Sequence, residues 1–256
     1  MRSREENAPL KRFTSFRIGG PADLVVEPTS PSELASLHRY LTEGSIPYVL
    51  LGSGTNVLFH DKGFRGVVVR LTSIGGFSVE ENGSDHARVT VAAGVPLPLV
   101  VSRTARAGWT GIEPLWGIPG SFGGAVVTNA GAGGVSIGET LQEVKLLTRA
   151  NEPVTLGKDA LHFGYRSTLL PHGAIVLEGT LRLGRADRSS TETRLDNARV
   201  MRRSSQPWDR PSAGCIFKNP HPDNPAGALI DRLGFKGARV GDAQVEGRLP
   251  RLMCWN

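Results

Sequence analysis

Residues 117–134 read GIPGSFGGAVVTNAGAGG, a stretch in which glycine alternates with apolar side chains. Phe122 and Val126 supply apolar anchors within it, and Asn129 supplies an amide that can form hydrogen bonds. A solvated linker would not need such anchors, because it packs against nothing. Glycine also allows a backbone to turn sharply or to approach a ligand closely. The stretch therefore predicts an ordered loop that brings its backbone against a bound molecule.

A second glycine turn lies nearer the N-terminus, directly after a predicted strand. The apolar run IPYVLL, residues 46–51, leads into GSGTN, residues 52–56. Backbone N–H groups in such a turn form a concave site that suits phosphate oxygens. The turn is not a P-loop, because no Gly-Lys-Ser/Thr follows, and it lacks the third glycine of the dinucleotide-binding fingerprint. An ordinary turn is the alternative for GSGTN alone, and the stretch at 117–134 favours the phosphate-binding interpretation.

Composition and charge limit the class of protein. The chain has 256 residues, of which 39% are hydrophobic and 21% charged; no apolar run approaches the roughly 18 residues of a membrane span. The N-terminus lacks the apolar segment of a secretory signal, and two cysteines are too few for a disulfide framework or a zinc site. The net charge of +6 is scattered, which disfavours nucleic acid and favours small anionic ligands. We expect a cytoplasmic protein without nucleic-acid, membrane or metal partners.

The pattern of strands and helices predicts an α+β domain over residues 8–185 and a smaller region over 195–256. A helix should begin at Pro31, with Ser30 as its N-cap and Glu33 completing a capping box. Further helices are predicted at 97–107, 194–203 and 226–233, with a polar hinge at 183–193. β-Branched residues predict strands at 22–27, 66–71, 87–94, 143–148 and 174–183.

Two further motifs carry candidate reactive groups. In HFGYRSTLL, residues 162–170, Tyr165 and Arg166 stand in a predicted loop between strands. The guanidinium could hold a carboxylate through two parallel hydrogen bonds, and a surface arginine is the alternative. In PSAGCIFKNP, residues 211–220, Cys215 is either a reagent or a small buried apolar residue. The stretch by itself favours packing.

Six motifs in order, spanning roughly residues 8–245, closely resemble the UDP-N-acetylenolpyruvoylglucosamine reductase (MurB) family. They are TSFRIGGPA, LGSGTNVL, GIEPLWGIPGSFGGAVVTNAGA, FGYRST, QPWDRPSAGCIFKNP and AGALIDRLGFKGARVGDAQV. The missing tyrosine-bearing insertion suggests the shorter, second type of this family.

The resemblance implies an FAD-binding domain of the p-cresol methylhydroxylase and vanillyl-alcohol oxidase type, followed by a small α+β substrate-binding domain. It implies that loops, rather than a Rossmann helix, hold the FAD pyrophosphate. The residues that this assigns to FAD are those of the two glycine-rich stretches: Gly52, Ser53, Gly54, Thr55, Asn56, Gly120, Ser121, Gly123, Gly124 and Asn129.

The reaction implied by the resemblance is reduction of UDP-N-acetylglucosamine enolpyruvate to UDP-N-acetylmuramate, in peptidoglycan precursor synthesis. NADPH reduces the flavin, and flavin N5 delivers hydride to C3 of the enolpyruvyl group. Arg166 matches the arginine that stabilises the negative charge formed. Cys215 matches the proton donor to C2, which is serine in many members. A thiol can donate at neutral pH because its ordinary pKa is about 8.5.

Other matching positions complete the expected site. Tyr165, Lys218 and Asn219 match substrate-binding positions. Ser212 is a rival hydroxyl to Cys215, but the family donor follows the glycine, which favours Cys215. We expect the protein to be a monomer.

The chain departs from the family pattern in two places. Gly133 stands where a tyrosine is usual, and Ser136 stands near an expected glutamate. After AQV the chain reads EGRLPRLMCWN, without the family's last strands or its catalytic glutamate. A frameshift or a misjoined gene end is the hypothesis, and the departure predicts an incomplete substrate-binding domain and a weakened or absent reductase.

Two alternatives to an active reductase follow from these features. The first is a catalytically inert FAD-binding remnant of the same family. The second is an oxidase of the wider flavin fold, which the lack of a large cap domain disfavours.

Overall fold

The computed structural model describes residues 1–206, 208, 210–221 and 223–246. Its helices are α1 (Pro31–Glu43), α2 (Leu97–Arg106), α3 (Phe122–Val127), α4 (Ile137–Thr140), α5 (Arg188–Ser205) and α6 (Ala226–Arg232). Its strands are β1 (Ser3–Pro9), β2 (Pro21–Glu27), β3 (Tyr48–Leu51), β4 (Phe64–Arg70), β5 (Phe77–Asn82), β6 (His86–Ala92), β7 (Trp109–Thr110), β8 (Gly131–Ala132), β9 (Val135–Ser136), β10 (Leu141–Leu147), β11 (Pro153–Gly157), β12 (His162–Gly164), β13 (Ser167–Leu169), β14 (Ile175–Arg185), β15 (Arg239–Val240) and β16 (Ala243–Gln244). Within these described ranges, no helix has both the length and the apolar character to cross a membrane.

The chain folds into two compact units that differ from a simple division along the sequence. The first unit is formed by residues 1–8, 22–53 and 65–199. The second is formed by residues 9–21, 54–64 and 200–256. The glycine turn at 52–56 therefore contributes its first two residues to one unit and its last three to the other.

A four-stranded sheet in the first unit leads to the first glycine turn. Its strand order is β1-β2-β4-β3, and β3 runs parallel to β4. Helix α1 connects β2 to β3 and buries Leu34 and Leu41 in the core. Because β3 ends at Leu51, the sheet fixes the point at which the turn begins.

The start of α1 confirms one half of the predicted capping box and corrects the other. Ser30 accepts a hydrogen bond from the Glu33 N–H at 3.1 Å, as predicted. The Glu33 carboxylate, however, accepts from the Thr29 N–H at 2.8 Å and the Thr29 hydroxyl at 2.9 Å. It reaches back one residue further than a capping box requires, because Thr29 offers two donors.

A second, antiparallel sheet forms the centre of the first unit. Its strand order is β11-β10-β14-β6-β5, and β7 also pairs with β14. The central strand β14 is almost continuously buried, and α3 packs against it and against β6. The six strands predicted from the sequence, the one at 46–51 included, are all present. The edge strand β5 was missed, because FSVEEN is polar and mostly exposed and so lacks an apolar alternation.

The predicted polar hinge is wrong over most of its length, because α5 begins at Arg188. Asp187 accepts hydrogen bonds from the Ser190 N–H at 3.2 Å and from the Ser189 hydroxyl, so it caps the first turn. Thr191 is buried and donates its hydroxyl to the Ala105 carbonyl at 2.6 Å. Serine and threonine are common both at helix starts and in loops, so these residues do not distinguish a helix start from a hinge.

The second unit contains α6, the pair β15–β16 and two connecting segments. The Gly20 N–H donates to the His60 carbonyl at 3.0 Å, which joins segment 9–21 to segment 54–64. Helix α6 ends before Gly234, as predicted, and Gly234 has a positive φ of 74°. The predictions made for the chain ending concern residues 247–256, which lie outside the described residues.

Candidate active site

The first glycine turn lies against the start of α3 within the first unit. A Cβ atom placed on Gly52 would lie 2.3 Å from Oγ of Ser121. That separation is well below van der Waals contact, so the position accepts no larger residue without movement. The glycine therefore permits a close approach between the two stretches that the sequence predicts to bind phosphate.

Two polar residues of this turn have unused hydrogen-bonding groups. Neither Ser53 nor Asn56 makes a hydrogen bond to any part of the chain that the structure describes. Ser53 is only partly exposed. Half-buried backbone donors are nearly always paired in folded proteins, with protein, water or ligand. Ser53 thus supplies donors for an anion such as a pyrophosphate, whereas Asn56 is exposed.

The second glycine stretch is partly helical, which corrects its prediction as a loop. Residues Phe122–Val127 form α3, and Ser121 caps it by accepting the Gly124 N–H at 3.4 Å. The Leu97 N–H donates to the Gly120 carbonyl at 2.9 Å. A Cβ on Gly123 would lie 2.7 Å from that of Ala93, so this glycine allows α3 to pack closely on the sheet.

Asn129 lies in this stretch just after α3 and uses its side chain to hold other segments. Its Nδ2 donates to the Gly164 carbonyl at 3.0 Å, and its Oδ1 accepts from the Gly138 N–H at 3.1 Å. Its backbone is left-handed, with φ of 42°. Asn tolerates this conformation better than most residues. The residue predicted to contact FAD therefore also fixes the segment that carries Arg166.

Arg166 lies at the tip of a hairpin, where the sequence predicted a loop. Strands β12 and β13 pair antiparallel, with Gly164 opposite Ser167, and leave Tyr165 and Arg166 as the two-residue turn. Arg166 has a positive φ of 53°. It is exposed and makes no ion pair or hydrogen bond to the described residues. Its guanidinium is therefore available to an anionic ligand, and Tyr165 beside it is 58% exposed.

The second unit holds Cys215 in an ordered backbone turn. Cys215 is exposed, so the packing alternative does not hold. Gly214 before it has φ of 79°, and its N–H donates to Oγ of Ser212 at 3.0 Å. The rival hydroxyl oxygen of Ser212 thus shapes the turn that presents the thiol.

The two substrate-binding candidates after Cys215 differ in their surroundings. Lys218 is exposed. Asn219 accepts the Ala226 N–H at 3.1 Å, so its side chain holds the first turn of α6. Each lies in the second unit with Cys215, whereas Arg166 belongs to the first.

The glutamate of the motif GIEPLWG has a structural role that was not predicted from the sequence. Glu113 is 2% exposed and accepts hydrogen bonds from the Thr110 hydroxyl at 2.6 Å and the Gly111 N–H at 2.7 Å. Nη1 of Arg194 lies 3.7 Å away. The carboxylate therefore fixes the short turn that precedes Gly117. An acidic residue inside an otherwise apolar motif was the available signal.

Comparison with known proteins defines the class of this fold and site. Residues 22–157 match the family model described as an FAD binding domain. The structure of 6-hydroxy-D-nicotine oxidase from Arthrobacter nicotinovorans superposes with a TM-score of 0.55 at 16% identity, over 72% of this chain and 42% of that one. That similarity concerns the fold alone. The chain is a flavoprotein with an FAD-binding domain of the vanillyl-alcohol oxidase type.

Closer relatives define the family. Residues 206–252 match the model of the C-terminal domain of UDP-N-acetylenolpyruvoylglucosamine reductase. The enzyme of that name from Syntrophobacter fumaroxidans is 41% identical over 242 residues, which are 94% of this chain and 70% of the relative. The reductase 2 of Symbiobacterium thermophilum is 42% identical over 93% of this chain and 76% of its own length.

A solved relative agrees with the sequence comparison. The Thermus caldophilus enzyme superposes with a TM-score of 0.83 at 34% identity, over 98% of this chain and 86% of that one. The chain belongs to the UDP-N-acetylenolpyruvoylglucosamine reductase family, whose members are FAD-dependent oxidoreductases.

The residues of the glycine turns fit this cofactor. Gly52 keeps a backbone approach open that any side chain would close, and Ser53 offers donors that the described residues do not use. Anions are commonly bound by successive backbone N–H groups in such turns. The donor set therefore suits the pyrophosphate of FAD.

Proposed function

We propose that this protein uses NADPH to reduce UDP-N-acetylglucosamine enolpyruvate to UDP-N-acetylmuramate, a step of peptidoglycan precursor synthesis. Membership of the family supports the class of reaction. The observation that carries the proposal is the exposed guanidinium of Arg166, held without an ion pair to the described residues at the tip of a fixed hairpin. A carboxylate-bearing substrate gives that charge a partner.

The FAD-binding role falls to the two glycine stretches. When bound, FAD supplies the hydride transfer that side chains cannot perform. The chain contributes backbone donors and close approach through residues 52–56 and 120–124, and the Asn129 side chain accepts the Gly138 N–H. We also propose the division into an FAD-binding domain at 8–185 and a substrate-binding domain at 195–256.

Arg166 is proposed to bind the carboxylate of the enolpyruvyl group. Negative charge grows on this carboxylate as hydride reaches C3, so a fixed cation stabilises the transition state more than the ground state. Guanidinium and carboxylate can form two parallel hydrogen bonds, which also orient the double bond. Tyr165 shares the hairpin turn and is proposed to contact the same substrate.

Cys215 is proposed to donate its Sγ proton to C2. The thiol is exposed on a defined turn, so a substrate can reach it. Proton donation completes the reduction, because the added hydride at C3 leaves the electron pair of the former double bond at C2. Lys218 and Asn219 are proposed to bind the same substrate, and Asn219 also stabilises α6.

The test separates cofactor binding, flavin reduction and substrate reduction. The purified protein should show a flavin spectrum, NADPH should bleach it, and the enolpyruvyl substrate should restore it with NADPH consumption. Cys215→Ala should abolish substrate turnover and spare the bleaching. Cys254→Ser is the matched control and should keep turnover.

Two results would contradict the proposal. A flavin that NADPH reduces but the enolpyruvyl substrate never reoxidises would indicate an FAD-binding protein without reductase activity. Full turnover in Cys215→Ala would remove the thiol from the reaction.

A further inference from the structure

Ser15, in the motif TSFRIGGPA, links two segments that the proposed reaction uses. Its backbone N–H donates to the Gly54 carbonyl at 3.0 Å, in the first glycine turn. Its hydroxyl donates to the Ser212 carbonyl at 2.6 Å, three residues before Cys215. All four residues belong to the second unit.

The hydroxyl of Ser15 has a choice of two acceptors. The Gly54 carbonyl lies 3.4 Å from it, and the Ser212 carbonyl lies at the shorter distance. A hydroxyl has one hydrogen, so its orientation responds to the position of both oxygens. The Ser212 N–H also donates to the Ser15 carbonyl at 3.3 Å, which gives the contact a second bond.

The contact continues from Ser212 to the thiol along a short, constrained backbone. Oγ of Ser212 accepts the Gly214 N–H, and Gly214 is left-handed with φ of 79°. A displacement of the Ser212 peptide therefore reorients the turn that presents Cys215. Residues 15 and 212 are 197 positions apart in sequence, so this pairing is a tertiary contact that folding must establish.

We propose that Ser15 is a positioning residue that couples occupancy of the Gly54 turn to the placement of the Cys215 thiol. The inference rests on the proposed function for the roles of the turn and the thiol. A bound pyrophosphate at the turn fixes the Gly54 peptide, and Ser15 passes that constraint to Ser212 through its N–H and hydroxyl. Coupling between two sites requires an element with two distinguishable arrangements. The Ser15 hydroxyl is such an element, because it has two acceptors within reach.

The first test measures coupling without any turnover. In protein carrying Cys254→Ser, iodoacetamide alkylates Cys215, and the rate is compared with and without saturating FAD. We expect FAD to change this rate by about fivefold in the parent, within the usual range of site coupling. Ser15→Ala should bring the ratio close to one.

A matched pair isolates the hydroxyl from the shape of the side chain. Ser15→Thr keeps the hydroxyl and should keep the FAD-dependent change in alkylation rate. Valine has almost the shape of threonine but no hydroxyl, so Ser15→Val should lose that change. Ser204→Ala is the control, because Ser204 is also a serine that donates to a backbone carbonyl, that of Met201 at 3.0 Å. It should behave as the parent does.

The second test follows the two half-reactions in Ser15→Ala. Reduction of the flavin by NADPH should stay within about twofold of the parent, and reoxidation by the enolpyruvyl substrate should slow by about tenfold, since small misplacements of a reacting group carry large rate penalties. A protein with no substrate turnover at all would contradict the proposed function, and the alkylation ratio would still test Ser15. An unchanged ratio in both Ser15→Ala and Ser15→Val, or no effect of FAD in the parent, would overturn the coupling.

Discussion

The Asn129 side chain donates to the Gly164 carbonyl at 3.0 Å, immediately before the two-residue turn that carries Arg166. Oδ1 of the same side chain accepts the Gly138 N–H. One side chain thus joins the second glycine stretch to the hairpin and to Gly138. Thr168 adds a second bond from the hairpin, donating its hydroxyl to the Val126 carbonyl at 2.6 Å. The glycine stretch proposed to bind FAD and the arginine proposed to bind substrate are thus parts of one hydrogen-bonded structure.

Replacing Asn129 should weaken this structure in two separable ways. Asn129→Gly removes both side-chain hydrogen bonds and keeps a residue suited to φ of 42°, so we expect the free energy of unfolding to fall by about 1–2 kcal/mol. Asn129→Ala should cost about 1 kcal/mol more, because its Cβ is unfavourable in the left-handed region. Urea unfolding of the two variants and the parent measures the difference. Equal stability in Ala and Gly variants would show that the backbone conformation carries no strain.

Replacing Arg166 by glycine should lower activity without lowering stability, because the φ of 53° at this position favours glycine. Arg166→Gly should leave the unfolding free energy unchanged or raise it by up to about 1 kcal/mol, while substrate turnover falls by about a hundredfold or more. Thermal unfolding and steady-state kinetics measure the two effects.

Ser45 offers a matched control for Arg166→Gly. Ser45 is exposed, has φ of 50° and, within the part of the chain that the structure describes, makes only a backbone hydrogen bond to Thr42. Ser45→Gly should show the same effect on stability without loss of turnover. Turnover of Arg166→Gly equal to that of Ser45→Gly would remove the arginine from the reaction.

The sequence predicted the elements whose signals are local. The strand leading to Gly52, the helix after Ser30 and the stop at Gly234 each follow from residues within a few positions of one another, and the structure contains all three. The predicted hinge at 183–193 was wrong because serine and threonine after Asp187 are as suited to a helix start as to a loop.

Contacts between residues far apart in the sequence could not be predicted from local signals. Ser15 meets Ser212 across almost the whole chain, and no periodicity marks either serine. The family resemblance assigned Asn129 to FAD, and its bond to Gly164 could not be foreseen without the fold. The motifs identified which segments matter, and the tertiary structure alone showed which side chains join them.

Gly52→Ala should impair FAD binding, because its Cβ would lie 2.3 Å from Oγ of Ser121. We expect the dissociation constant of FAD to rise at least about tenfold, which corresponds to about 1.4 kcal/mol. Since the obstacle is a single side-chain oxygen, the double variant with Ser121→Ala should lose less than the sum of the single changes. Flavin fluorescence titration of the apoprotein measures all three.

Gly157→Ala is the matched control for this experiment. Nothing lies within 4 Å of a Cβ at that position, so FAD binding should be unchanged. Full affinity in Gly52→Ala would show that Ser121 rotates away without affecting the cofactor site.

Acid should remove a stabilising contribution from Glu27, which is 6% exposed in the first unit. Burial raises the pKa of this carboxyl, but the hydrogen bond from Thr72 and the charge of Arg70 outweigh burial and hold the pKa below its ordinary value of 4.5. A carboxyl with a lowered folded-state pKa stabilises the fold above its unfolded pKa, and the contribution disappears as pH falls through the folded pKa.

Glu27→Gln should therefore be less stable than the parent at about pH 7, and this difference in the free energy of unfolding should narrow below about pH 4.5. Glu43→Gln replaces an exposed carboxylate without an ion pair to the described residues, and it should leave the free energy of unfolding at about pH 7 unchanged. A gap between Glu27→Gln and the parent that stays constant down to acid pH would mean that the carboxylate charge contributes nothing.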